Sequence, residues 1–129
     1  MPVDWTIHPS GEFAVLSVID PYTFEEWSAT VLAMLVATGA ENPKMSLLVD
    51  RRRATPPSSE EVRQMVQFFE RNRRALSGRS AAVVVSDDGG FGMARMIELR
   101  SRLELPDGII RAFRSYDDAV VWLTGQAAV

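Results

Sequence analysis

A chain of 129 residues, 47% hydrophobic and 24% charged, has the length and composition of one globular domain and not of a disordered segment. With no cysteine and a single histidine, it excludes disulfides, thiolate zinc sites, a cysteine nucleophile and histidine-rich metal centres. The net charge of −3 hides an asymmetry: residues 1–43 hold six acids and no Lys or Arg, while the rest holds all 14 bases, thirteen of them arginine, against 11 acids.

The opening Met-Pro-Val-Asp-Trp has neither a basic nor an apolar leader character. The longest fully apolar run, Val31 to Ala37, is seven residues, where a spanning helix needs about 20, so a cytoplasmic location is expected. Trp5 and Ile7 alternate with Asp4, Thr6 and His8, and Pro9-Ser10-Gly11 is a turn signal. The run from Phe13 to Ile19, broken only by Ser17, completes a β-hairpin. Thr23 and Glu26 form a capping box, and Phe24, Trp27, Val31, Met34 and Leu35 follow at helical spacing, with Gly39 as the expected stop.

Met45 to Val49 predicts the next strand, closed by Asp50. Beyond Pro56-Pro57, Ser58 to Glu61 form a second capping box, and Val62, Met65, Val66, Phe69 and Leu76 mark a buried helical stripe. Ala81 to Val85 predicts a strand, Phe91 to Leu103 a helix, Ile109 to Arg114 a strand and Ser115 to Leu123 a closing helix. The order ββαβαβαβα predicts an α/β fold: a five-stranded, mostly parallel sheet with an N-terminal hairpin and about four helices. The three strands that are apolar on both faces belong inside; the alternating first and last strands belong at the edges.

The run Ala82 to Met96, with its Gly-Phe-Gly-Met-Ala-Arg-Met core, and the tail Phe113-Arg-x-x-x-Asp-Ala-x-x-Trp-Leu resemble the bacterial STAS-like, or SpoIIAA-like, domains. The resemblance covers nearly the whole chain. It implies a fold shared with anti-sigma-factor antagonists and, more distantly, with CRAL-TRIO lipid-transfer domains, and a binding or regulatory role without catalysis. In the antagonists a phosphorylatable serine opens the helix after the Asp-ended strand, and Ser59 falls at about that position. Here Ser58 stands in place of the acid, and Glu60 and Glu61 in place of the small residues and glycine, so a phosphate on Ser59 would meet like charge.

Ligands of open α/β sheets gather beyond the carboxyl ends of the strands. There Gly89, Gly90 and Phe91 open a helix whose N–H groups suit an anion, and Arg51 or Arg53 could supply a planar fork beside Asp50. Arg95 is expected in an ion pair with Asp87, Asp88 or Asp50, or as a ligand anchor at that edge. Asp20, Asp50, Asp87 and Asp88 are placed as turn residues closing strands and not as metal ligands, so no metal and no cofactor is expected.

Between residues 51 and 79 eight bases face three acids, but Glu60 pairs with Arg63 and Glu70 with Arg73 and Arg74 at helical spacing. Without interleaved aromatics that pattern describes a solvated face and not a nucleic-acid surface. The single histidine lies on an edge strand, and no nucleophile elbow, P-loop or dinucleotide motif occurs, so no catalytic residue is assigned. Two roles remain. One is a protein-partner surface over Arg51, Arg52, Arg53, Ser58, Ser59 and Arg63. The other is carriage or sensing of a small apolar or anionic, lipid-like ligand, in a cavity beside Phe91 to Ile97 near Met93 and Met96. Homodimerisation through an edge strand, Trp5–His8 or Ile110–Arg114, is a third expectation.

Overall fold

The computed structural model describes residues 2–86, 91–92, 94–99 and 109–127, with side chains to 125. It is an α/β fold around a five-stranded mixed sheet: β1 (Val3–Ile7), β2 (Phe13–Ile19), β3 (Ser46–Arg53), β4 (Ser80–Val84) and β5 (Ile109–Phe113), in spatial order β1-β2-β3-β4-β5. β1 runs antiparallel to β2, and the remaining pairs are parallel. The alternating strands β1 and β5 are the edges, as their patterns predict. The helices are α1 (Phe24–Glu41), α2 (Ser59–Arg71), the single turn α3 (Arg73–Leu76), α4 (91, 92 and 94–99) and α5 (Tyr116–Ala127).

Successive strands are neighbours, so crossovers of one hand leave their helices on one face of the sheet. Side chains of α1, α2, α3 and α4 do meet one face, through Trp27, Met65, Leu76 and Ile97. Among the described residues α5 alone covers the other, where Ala119 and Leu123 pack on Phe13, Val15, Leu48, Ala82 and Val84. This arrangement explains why β2 to β4 carry apolar residues on both faces: Ala14, Leu16 and Leu47 serve the first face, and Phe13, Val15 and Leu48 the second.

At the hairpin, the amide of His8 donates to the Phe13 carbonyl and that of Gly11 to the His8 carbonyl. Gly11 has φ 76°, the left-handed region that favours glycine. The His8 ring stacks on Phe13 at 4.3 Å and bonds Ser10 Oγ, so the lone histidine serves the turn.

Two boundaries differ from the sequence expectation. Gly39 does not stop α1, which runs to Glu41 with Asn42 as its C-cap. A Cβ at Gly39 would lie 3.3 Å from Arg79 Nη2, so this glycine makes room for a buried guanidinium inside the helix. β3 does not end at Asp50 but continues through Arg51 and Arg52 to Arg53, which pairs with Ile19 of β2. The arginine triplet is therefore strand, with a shift of register opposite Ser17 to Ile19, and Arg51 and Arg52 point to opposite faces.

Candidate functional site

The first face of the sheet does not fill completely against its helices. A cavity of about 90 Å³ lies between Leu16, Leu47, Val49, Ala81, Val83 and Ile110 of the strands and Trp27, Val31, Met34, Met65, Phe69 and Ile97 of the helices. Strand residues at i, i+2 and i+4 share a face. Thus Leu47, Val49 and Arg51 of β3 line the cavity in sequence, and so do Arg79, Ala81 and Val83 along β4. Since Leu47 pairs with Ala81 and Asp50 with Val84, Arg79 lies at the amino end of this row and Arg51 at the carboxyl end, ~20 Å apart in strand rise. A second, smaller cavity of about 20 Å³ adjoins Arg51 at the carboxyl end, among Thr55, Pro56, Val85, Ser86 and Ala94.

The two arginines are both almost fully buried, at 4% exposure for Arg79 and 6% for Arg51, but they are held differently. Arg79 Nε donates to the Ala75 carbonyl at 2.7 Å, Nη1 to Thr38 Oγ1 at 2.8 Å and to the Met45 carbonyl at 3.4 Å, and Nη2 to the Leu35 carbonyl at 3.2 Å. It fastens α1, α3 and the start of β3 together through neutral acceptors alone, and burial lowers its pKa.

Arg51 donates through Nη2 to the Tyr22 hydroxyl at 2.8 Å and to the Thr55 carbonyl at 3.1 Å. Its guanidinium carbon lies 5.4 Å from the centre of the Tyr22 ring. Its Nη1 is buried with no hydrogen-bond partner, and Arg51 makes no ion pair among the described residues. The Tyr22 hydroxyl donates in turn to Glu61. That contact alters the second capping box: Ser58 Oγ accepts from the Glu61 amide at 3.1 Å, but the Glu61 carboxylate turns to Tyr22. Burial first, and the Glu61 hydrogen bond second, push the Tyr22 phenol up to about 12, against the opposing effect of Arg51. The box at Thr23 and Glu26 is complete.

A second buried donor belongs to another residue of the cavity wall. Trp27, 4% exposed, lies in the first turns of α1, which follows the carboxyl end of β2. Its Nε1 likewise has no partner among the described residues. Its ring is held by Phe24, Phe68 and Phe69 at 5.3 to 6.0 Å.

The other expected site residues are dispersed. Asp50 and Arg52 point to the opposite face, where they pair at 2.8 Å and the Arg52 guanidinium covers the Tyr116 ring of α5 at 4.7 Å. Burial alone would raise the Asp50 carboxyl, but the hydrogen bonds from Arg52 outweigh it and hold the carboxyl below its ordinary value. Arg53, Ser58, Ser59 and Arg63 are exposed, and Arg63 pairs with Glu60 at 2.6 Å. Arg51 leaves the expected partner surface because the strand carries its side chain inward. With Arg79 also buried, the basic run between residues 51 and 79 loses two of its eight charges from the surface.

Arg95 is exposed and pairs with buried Glu98 at 2.9 Å, one helical turn away, and not with Asp50. Phe91 lies under the Arg114 guanidinium at 4.5 Å and packs with Val83, Val85 and Ala112, and it lines neither cavity. Asp87, Asp88, Gly89, Gly90 and Met93 lie outside the described residues. Of the helix expected to line a ligand cavity, Ile97 does so, while Met96 is exposed. Asp20 accepts from the Thr55 amide, and no group of three or more metal-ligating side chains occurs among the described residues.

Tyr22, Trp27 and Glu61 are the members of the site that sequence reasoning did not single out for binding. The alternation Leu47, Val49, Arg51 carried the signal for the inward arginine; the Tyr22–Glu61 contact joins residues 39 positions apart, and local pattern gives no sign of it. Among the described residues no helix is long and apolar enough to cross a membrane. No family model, no curated protein and no solved structure matches the chain.

Proposed function

We propose that this protein is a non-catalytic binding domain that carries or senses a small, largely apolar ligand held between the sheet and α1, α2 and α4. The observation that carries the reading is the cavity of about 90 Å³, walled almost entirely by aliphatic and aromatic side chains at the centre of the molecule. It is smaller than the ~150 Å³ apolar cavity that takes up benzene, but it is partly open, so a ligand need not lie wholly inside it. Protein interiors otherwise close such voids, because each lost contact weakens packing. The STAS-like character of the sequence, with its distant tie to lipid-transfer domains, accords with this role.

The reading is tested with 1-hexanol, a neutral probe with a single apolar chain. Thermal unfolding in increasing hexanol should give a saturable rise in Tm, since a ligand that binds only the folded state stabilises it by mass action. A Tm that stays flat, or falls throughout, contradicts the reading.

The exposure of Arg52, Arg53, Ser58, Ser59 and Arg63 along one loop and helix start favours a second role, as a surface for a protein partner. Charge reversal of Arg52 and Arg53 should then abolish partner capture while the fold survives; unchanged capture would remove this role.

A further inference from the structure

We infer that the ligand of the central cavity is a carboxylate-headed amphiphile, its head held by Arg51 Nη1 and its apolar body lying along Val49, Leu47 and the helices. This inference rests on the cavity reading above and adds the chemistry of the head.

Three observations converge on it. First, Arg51 is a buried cation without a carboxylate partner among the described residues, and one of its two terminal nitrogens makes no hydrogen bond. A buried, unpaired charge is costly, and an unmet buried donor adds to that cost, so the arrangement is relieved by an acceptor carrying negative charge. Arg79, in the same wall, shows the contrast: its donors reach four acceptors, and it asks nothing of a ligand.

Second, the only other buried unpartnered side-chain donor or acceptor among the described residues is also a donor on this cavity, Trp27 Nε1. Trp27 opens α1 just after the carboxyl end of β2, and Arg51 ends the inward row of β3 at that same end of the sheet. Trp27 Nε1 is thus a second donor without an acceptor on a residue of the same cavity wall, outside the small space at Thr55 and Ser86.

Third, the Tyr22 hydroxyl accepts from Arg51 and donates to Glu61, so the nearest acid of the network is engaged one step away and does not neutralise the guanidinium directly. The same contacts fix the orientation of Arg51, which lines both cavities, so little rotamer freedom is lost on binding. The space at the head is small, about 20 Å³ beside Thr55 and Ser86, roughly the room of a single water. That favours a planar carboxylate over a tetrahedral phosphate.

The test compares hexanoate, 1-hexanol and hexyl phosphate by calorimetric titration of the full chain, which needs no variant. Hexanoate should bind about tenfold or more tightly than hexanol, the increment expected of a charge-assisted hydrogen bond in a buried site. Arg51→Gln should bring hexanoate down to the level of hexanol while hexanol binding persists. If Arg51→Gln does not fold by circular dichroism, Arg51→Lys takes its place, and its preference for hexanoate should fall to about two- or threefold, since the point charge lacks the fixed fork. Equal binding of hexanoate and hexanol by the wild type overturns the carboxylate assignment and leaves the cavity reading standing. So does a preference undiminished in the variant, or tighter binding of hexyl phosphate. Failure of all three probes to bind overturns the cavity reading itself.

Discussion

Arg79 and Arg51 face the same side of the sheet at opposite ends of one cavity, and only Arg79 has hydrogen-bond partners for all its buried donors. The pair divides the labour of the site. Arg79 holds the wall together, and Arg51 is left with bonding capacity at the end where α/β sheets receive their ligands. The difference arises from what surrounds each guanidinium. Arg79 lies where the last turns of α1 and α3 present carbonyl oxygens, whereas Arg51 has one carbonyl, that of Thr55, and one hydroxyl.

The structural role of Arg79 predicts a large loss on its removal. Arg79→Met removes the donors that Thr38 Oγ1 and the Leu35, Ala75 and Met45 carbonyls accept from inside the core. Hydrogen bonds from a charged donor contribute about 1.5–3 kcal/mol each and do not add fully, so the expected cost is about 3 kcal/mol in urea unfolding. A cost within about 0.5 kcal/mol of zero would show that the four bonds do not carry the junction of α1, α3 and β3.

Gly39 supplies a paired experiment. In an ordinary helix interior Gly→Ala gains about 1 kcal/mol. Here the new Cβ would lie 3.3 Å from Arg79 Nη2, and the guanidinium is pinned by its four bonds and cannot withdraw freely. Gly39→Ala should therefore be neutral or destabilising alone, and stabilising in the Arg79→Met background. A double-mutant cycle measured by urea unfolding reads the coupling directly; strict additivity would separate the two residues.

The Tyr22 contacts predict an alkaline transition. The phenol is raised from 10.0 to about 12, so the folded state retains its proton where the unfolded chain gives it up. The stability this contributes is fully present below pH 10 and is lost as pH rises through about 12. Tyr22→Phe should remove that component from the pH dependence of unfolding. In Glu61→Gln the phenol should titrate lower than in the wild type yet still above its ordinary value, because burial is the larger cause. Phenolate absorbance of each variant checks the order.

Much of the fold was legible from pattern. Fully apolar runs gave the inner strands, alternating ones the edges, and Thr23 with Glu26 the start of α1, because each signal is set by neighbours in sequence. The site was legible only in part. Asp50 is a good turn residue, and three successive arginines look like a solvated loop, so local pattern ends the strand at Val49. Pairing with β2 overrides both preferences and carries the ladder to Arg53. Once the strand is extended, alternation alone sends Arg51 inward and Asp50 and Arg52 outward. Gly39 misled for a similar reason: its role is set by Arg79, 40 residues away, and not by the helix it occupies. The capping box at Ser58 shows the same limit, since its Glu61 carboxylate is claimed by Tyr22 from another element.

The central claim is that the cavity under the sheet is a binding site, and Ala81→Leu tests it most directly. Ala81 lies on β4 between Arg79 and Val83, and a leucine there would occupy the void. Filling it should stabilise the empty protein by about 1 kcal/mol. In calorimetric titrations the wild type should bind one equivalent of hexanoate saturably, and folded Ala81→Leu should bind none. Undiminished binding by Ala81→Leu, or binding of neither hexanoate, 1-hexanol nor hexyl phosphate by the wild type at millimolar concentration, would contradict the account.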